Sequence, residues 1–358
     1  MVGGGIIGLS TAFAVAKAGF AVTLLEADHD YPPCSWVAGG ILSALLPWQY
    51  QPAVNTLMER SQAAYQDWVQ ELVALGGLNP EYRADGLLIL PPFERQQVSE
   101  WEHASRTAVN TVAPSEKVAG LAAQGKALWL PHVAHIRSNR LLAAARQAAT
   151  HLGVRIESKG VLSLKKNAQR VLGAVTATGD VLADVTILAA GAWTPALLGK
   201  DEVGLDIKPM RGQMLLFEAP PKPRPIIYQN GFYLITREDG RVLVGSTSED
   251  VGFTLDTTDE AAQTLYAKAL ALLPELKAAR VTHHWAGLRP GAPDNIPTIA
   301  PHPLLENLYI NSGHFRYGIT MAPASAEIIL NYMREHPQVI DVTPYSFTIR
   351  QSPNCPIE

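Results

Sequence analysis

The chain has 358 residues, 47% of them hydrophobic and 17% charged, with a formal net charge of −4. This balance excludes a disordered chain and leaves no basic footprint for nucleic acid, and the length can bury the cores of two domains. The two cysteines, Cys34 and Cys355, lie far apart and form no redox or metal motif, the ten histidines show no ligand spacing, and such usage fits a cytoplasmic protein without a metal.

Gly3-Gly4-Gly5-Ile6-Ile7-Gly8 fits G-x-G-x-x-G, extended by Ala12 and Gly19. The apolar strand Phe20–Leu25 follows and ends on Glu26, where a carboxylate would hold a ribose hydroxyl and disfavour a 2′-phosphate. The pattern predicts a dinucleotide site: glycines for the tight turn and a helix N-terminus for the pyrophosphate. Only Met1 and Val2 precede it, where a strand has about five residues. Either the first strand is unusually short or the start lies upstream. Residues 5–25 carry one charge, Lys17, but Gly19 divides them into helix and strand. A buried βαβ unit is expected there, not a membrane span or signal peptide.

After Pro32-Pro33, the segment Ser35–Ser43 is dense in small residues. It suits backbone lying against a flat ligand, or a helix N-terminus packed on the sheet. Residues 53–76 form an amphipathic helix with apolar Leu57, Ala64, Trp68 and Leu72, ended by Gly76-Gly77. Residues 81–133 mix short strands and helices. Ser138 or Asn139 caps a helix to Leu152, with Gly153 as its stop, and Val154–Glu157 is a strand. Residues 171–189 suggest a hairpin turning at Gly179-Asp180, its second arm ending in Val185–Ala192. The small turn Ala190-Gly191 leaves room for a cofactor backbone; a plain buried strand is the other reading.

From 210 the texture changes to alternation. Strands are expected at 213–217, 231–235 and 242–245, with Asp239-Gly240 as a hairpin turn, and a helix at 259–272. His283 and His284 would point to opposite faces of a strand. Gly287-Leu288-Arg289-Pro290-Gly291 and Gly313-His314-Phe315-Arg316-Tyr317 each set one arginine among glycines. A guanidinium fork matches a carboxylate, and glycine admits a ligand closely; a salt-bridged surface arginine is the alternative. Pro323 is placed in the first turn of a last helix through Met333. The expected fold is α/β, with an α+β two-domain arrangement. A discontinuous Rossmann-like domain (1–75, 146–205, 290–358) would carry the cofactor, and an inserted antiparallel-sheet domain (76–145, 206–289) the substrate.

These residues together resemble the D-amino-acid oxidase superfamily of flavoproteins, and within it the glycine-oxidase branch linked to thiamine biosynthesis. The motifs that carry the resemblance are the fingerprint, Ala38–Leu42, Leu188–Trp193, Arg211-Gly212-Gln213, Tyr233 to Gly240, Trp285–Gly291 and Gly313–Arg316. The resemblance implies FAD rather than NAD. Gly3, Gly5, Ile6, Ile7 and Gly8 would face the pyrophosphate, Glu26 the ribose and Val161 the adenine. Ser35, Gly39, Gly40, Ile41 and Ser43 would lie along the flavin, as would Ala190, Gly191 and Trp193. Gly313, His314, Arg316, Tyr317, Gly318 and Ile319 would line its pyrimidine end.

Arg289 is implied to bind the substrate carboxylate, with Tyr233 hydrogen-bonding or shielding it. Arg316 is implied to steady charge on the reduced ring, or to tie backbone carbonyls. Ile41, Ser43 and Ser248 would line the substrate. Tyr317 stands where the family usually has asparagine, and Ser248 where methionine or leucine is frequent. Related enzymes attach FAD through cysteine, but neither Cys34 nor Cys355 falls in the matching segment, so non-covalent FAD is expected. The implied activity is oxidation of glycine, sarcosine or small D-amino acids by dioxygen. A dehydrogenase with another electron carrier and a non-catalytic flavin- or NAD-binding protein stay open here. No nucleic acid or membrane partner is expected, and a homo-oligomer is compatible.

Overall fold

The computed structural model describes residues 1–28, 32–105, 107–201, 203–222 and 224–347. Cys355 lies outside the described residues. In chain order the first elements are α1 (Ile6–Lys17), β1 (Thr23–Glu26), α2 (Pro52–Gly76), β2 (Leu87–Ile89), β3 (Asn110–Val112) and β4 (Ala127–Leu130). Next come α3 (Ser138–His151), β5 (Arg155–Ser158), β6 (Val161–Asn167), β7 (Arg170–Thr176), β8 (Gly179–Leu182) and β9 (Thr186–Leu188). The remainder holds β10 (Lys208–Glu218), β11 (Ile226–Gln229), β12 (Phe232–Thr236), β13 (Arg241–Gly245), α4 (Asp259–Leu272), β14 (Arg280–Gly291), β15 (Thr298–Pro301), β16 (Leu308–Ser312) and α5 (Gly318–Met333).

The first strand is very short, yet paired on both sides. Val2 bridges in parallel to Leu25 of β1 and to Leu188 of β9. Its N–H donates to the Ile187 carbonyl at 2.9 Å, and its carbonyl accepts from Ala189 N–H at 2.8 Å. The parallel layer therefore runs β5, β1, Val2, β9 and β16, with β15 antiparallel at its edge. Small and apolar residues of α1, among them Leu9, Ala12 and Phe13, pack with α2, α3 and α5 as one core.

The second layer is a sheet of eight described strands, ordered β14-β10-β13-β12-β11-β2-β4-β3. Its pairings are antiparallel except β11 with β2. The alternation after residue 210 folds into β10, β12 and β13 with buried Leu215, Phe217, Leu234 and Val244. A third, small sheet holds β6-β7-β8.

Two expectations are corrected. The hairpin is β7 with β8, register Thr176↔Gly179, so the chain turns at Ala177-Thr178. Val185–Ala189 is not its second arm: its three buried residues join the parallel layer against β16. Pro323 is not in the first turn of the last helix, which begins at Gly318. A proline there strips the Ile319 carbonyl of its helical donor. The buried Tyr65 hydroxyl of α2 donates to that carbonyl at 2.9 Å, and Ala324 N–H goes to Ser61 Oγ at 3.0 Å. Packing against α2 thus replaces what the proline removes. Among the described residues no helix is long and apolar enough to cross a membrane.

Candidate active site

A cleft of about 450 Å³ opens where the parallel strands end, facing the eight-stranded sheet. Open α/β sheets bind ligands at that end of their strands.

The parallel-layer wall is mostly backbone. Gly3 has φ +102°, and a Cβ there would sit 2.4 Å from the Ala189 carbonyl oxygen. The chain can enter α1 tightly only without one. Gly5, Ile6 and Ile7 follow in the wall, and Ser35 Oγ accepts the Ile6 N–H at 2.9 Å. Glu26, at the end of β1, accepts the Gly4 N–H and also lines the cleft. Gly313, His314, Tyr317, Gly318 and Ile319 bring the N-terminus of α5 to the same space. Two helix N-termini therefore converge on it, a favourable setting for a phosphate. His314 is buried, its Nε2 is 2.9 Å from Ser325 Oγ, and burial pushes its pKa down to about 3, so it stays neutral. Val161 lies at one end of the cleft, with Ala190, Gly191 and Trp193 beside the turn after β9. Glycine floor, helix N-termini and a carboxylate at the end of β1 fit a dinucleotide flavin.

The sheet wall is made of side chains. Arg289 on β14 reaches over Gly212 of β10, where a Cβ would stand 2.2 Å from its guanidinium nitrogens. It donates to the Thr247 carbonyl at 3.1 Å and to Ser246 Oγ at 2.7 Å. Burial lowers its pKa, opposed by Tyr233 and Cys34 and reinforced by Arg316. Among the described residues Arg289 pairs with no carboxylate. Arg211, next to Gly212, behaves otherwise: Glu249 neutralises it. The same Glu249 accepts from Thr247 Oγ1 and from Gln213, which holds in place the segment after β13 that Arg289 grips. Tyr233 is buried on β12 with its hydroxyl 3.9 Å from Met214 Sδ. Cys34 lies near Arg289, and burial raises its thiol, so it stays protonated.

The structure brings nearly all the singled-out residues to this cleft, including Gly39, Gly40, Ile41 and Ser43. Gly8 does not line it. A Cβ on Gly8 would be 1.8 Å from the Gly3 carbonyl oxygen, so its place is in packing α1 under the turn. Ser248 also lies outside the wall and contacts Arg316 Nη2 at 3.3 Å. Arg316 lines the cleft, is exposed, and stacks 5.0 Å from the Phe315 ring. Its guanidinium donates to that hydroxyl and, among the described residues, to no backbone carbonyl. Tyr317 is buried, with its hydroxyl 2.5 Å from that of Tyr50.

Sequence reading did not single out Ser246, Thr247 or Gly212 for the grip on Arg289. A glycine inside a strand signals close approach, and Gly212 gave that signal. It also passed over Asp85, His135 and Arg237, which are buried or half-buried behind Gly39.

The chain matches the FAD dependent oxidoreductase family profile over residues 1–331. It is 38% identical to a glycine oxidase of Pseudomonas aeruginosa, over 97% of each chain. It is 31% identical to the bifunctional protein ThiO/ThiG of a Nostoc species, covering 94% of this chain and 52% of that one. The crystal structure of glycine oxidase from Geobacillus kaustophilus superposes with a TM-score of 0.91 at 24% identity, over 97% of both chains, which shows the fold.

Proposed function

The chain belongs to the FAD dependent oxidoreductase family, and from that premise we propose that it oxidatively deaminates glycine, sarcosine or small D-amino acids. The products are the oxoacid, ammonia or an amine, and hydrogen peroxide. One observation carries the substrate class: the half-buried Arg289 guanidinium faces the cleft with hydroxyl and carbonyl partners and no carboxylate. A held cation of this kind matches the carboxylate of an amino acid, whose removal from water only a fixed charge compensates.

The cofactor reading assigns roles along the parallel-layer wall. Gly3, Gly5, Ile6 and Ile7 hold the pyrophosphate, Glu26 the ribose and Val161 the adenine. Gly39, Gly40, Ile41 and the Gly313–Ile319 turn bracket the ring. Bound FAD supplies the two-electron acceptor and the centre at which dioxygen becomes peroxide. The side chains orient the substrate. Arg289 fixes its carboxylate, Tyr233 closes over it, and Arg316 adds positive potential at the rim. The amine reacts as its free base, having lost its proton to solvent, and His314, neutral and tied to Ser325, adds no positive charge beside it. Position and a dry cleft do most of the work. Water then hydrolyses the imine product. On this reading FAD is held without a covalent bond, because neither Cys34 nor Cys355 falls in the segment where related enzymes attach it.

The division into a cofactor unit and an inserted substrate unit belongs to this reading. The packing of α3 with α1 favours a boundary ahead of Ser138. A cytoplasmic setting and a place in thiamine biosynthesis extend it, on cysteine usage and family resemblance.

The test is a panel of amines, scored for peroxide under air and for bleaching of the flavin without oxygen. Glycine, sarcosine or a small D-amino acid should do both. Bleaching without peroxide would indicate a dehydrogenase that uses another carrier. No bleaching by any of the panel would overturn the proposal.

A further inference from the structure

We propose that Arg237 is a positioning residue that clamps the Gly39-Gly40 backbone to the strand carrying Tyr233, with His135, oriented by Asp85, as its side-chain acceptor. The inference rests on the reading that the cleft holds FAD and an amino acid.

Arg237 is 6% exposed, yet among the described residues no carboxylate touches it. Its Nη2 donates to the Gly39 carbonyl at 2.7 Å. Its Nη1 donates to the Ile136 carbonyl at 3.1 Å and meets His135 Nδ1 at 2.8 Å. Guanidinium can only donate, so His135 Nδ1 accepts and the ring proton sits on Nε2. That nitrogen faces Asp85 Oδ2 at 3.1 Å. Asp85 is fixed in turn by Arg83 at 2.8 and 3.2 Å. A buried cation is expensive unless its charge is met. Here Glu81 and Asp239 oppose the cost from a distance without touching the guanidinium, and neutral His135 only accepts, which leaves Arg237 free to bind two backbone carbonyls.

The Gly39 carbonyl belongs to the turn that lines the cofactor side of the cleft, and Ile136 lies on the segment that backs that turn. Gly40 has φ +75°, and a Cβ there would be 2.1 Å from the Ile136 oxygen. Ile136 N–H donates to the Gly40 carbonyl at 2.8 Å. Tyr233 and Arg237 lie four residues apart along one strand direction and so share a face. The Tyr233 hydroxyl would be 3.1 Å from a Cβ on Gly39. The same strand therefore meets Gly39 twice, by a ring and by a guanidinium. Through that pair of contacts the substrate wall and the cofactor wall are held in one register.

The experiment compares wild type, Arg237→Met, Arg237→Lys and Asp85→Asn. It measures FAD dissociation constant, the midpoint potential of bound FAD, and kcat and KM for glycine. Arg237→Met should raise the FAD dissociation constant at least tenfold and move the potential to a more negative value, since a buried cation behind Gly39 is gone. It should lower kcat more than it raises KM, because Arg289 still holds the carboxylate. Arg237→Lys should recover only part, and Asp85→Asn should fall between wild type and Arg237→Met.

A folded Arg237→Met with FAD affinity and potential within twofold of wild type would overturn the proposal, as would a lowered melting temperature with both unchanged. If Arg237→Met does not fold, Asp85→Asn decides: a threefold or larger loss of FAD affinity supports the clamp, and unchanged affinity and potential refute it. A wild-type protein that binds FAD but is bleached by no amine would refute the activity reading alone, since the affinity comparison stands without turnover.

Discussion

One wall of the cleft is glycine backbone and helix ends, and its histidine, His314, is buried and neutral. The opposite wall is strands carrying Arg289 and Tyr233, with Gly212 left bare so that the guanidinium can lie over it. On the proposed reading the first wall recognises by shape and by oriented N–H groups, so its specificity is spread over many residues. The second would recognise by one charge, so its specificity is concentrated. Substitutions in the two walls should therefore fail differently, one in cofactor retention and the other in substrate turnover.

The sharpest way to break this contrast is at the glycines that serve each wall. Gly8→Ala would put a Cβ 1.8 Å from a backbone oxygen that cannot move without Gly3. Overpacking of that kind costs about 3 kcal/mol, and FAD affinity should fall more than a hundredfold in an equilibrium titration. Unchanged affinity would mean that the turn adapts. Gly212→Ala meets only the mobile end of Arg289, 2.2 Å away. The protein should keep its FAD, while displacement of the guanidinium lowers kcat/KM on glycine by about a hundredfold. Loss of FAD there would erase the division between the walls.

Glu26→Ala sharpens the cofactor side. It removes the acceptor of Gly4 N–H and the proposed ribose partner, a charged hydrogen bond of roughly 1.5–3 kcal/mol. FAD should bind about ten- to a hundredfold more weakly, with glycine KM little changed once FAD saturates. Equal FAD affinity would return Glu26 to a purely structural role.

His314 gives the smallest and most graded effect. Its pKa is about 3 when folded and about 6.5 when unfolded. The unfolded chain binds the extra proton between those values, so stability present above pH 6.5 is lost as pH falls toward 3. This group contributes at most about 1.4 kcal/mol per pH unit. Urea melts at pH 7 and pH 5 should show a smaller acid loss in His314→Asn than in wild type. Identical losses would show that His314 protonates freely in the folded protein.

The parallel-layer wall of the cleft was legible because its determinants are local. The fingerprint, β1 and Glu26 occupy one short stretch, and glycine spacing reports backbone directly. The last helix was half legible: its apolar content marked it, but Pro323 looked like a start because Tyr65 and Ser61, which repair the broken ladder, lie more than two hundred residues away. The same distance hid the grip on Arg289 and the Arg237 clamp. Arg211, Arg237 and Arg289 look alike in sequence, and only tertiary contacts show that Glu249 neutralises the first, His135 and backbone carbonyls occupy the second, and the third faces the cleft. The Val185–Ala189 strand was misplaced for a related reason. An apolar run after a hairpin reads as its arm, whereas burial on both faces drew it into the parallel layer.

The central claim is that Arg289 anchors the substrate carboxylate and does nothing for the cofactor. Anaerobic stopped-flow reduction by glycine, with FAD occupancy read from the same Arg289→Ala sample, tests it most directly. Removing one partner of a buried charge pair costs about 3–5 kcal/mol, so reduction at low glycine should slow by roughly two to four orders of magnitude. Occupancy should match wild type, and Arg289→Lys should recover only part, because the bidentate fork is lost. An Arg289→Ala protein that is reduced at the wild-type rate, with wild-type glycine affinity, would contradict the account and move the anchor to Arg316.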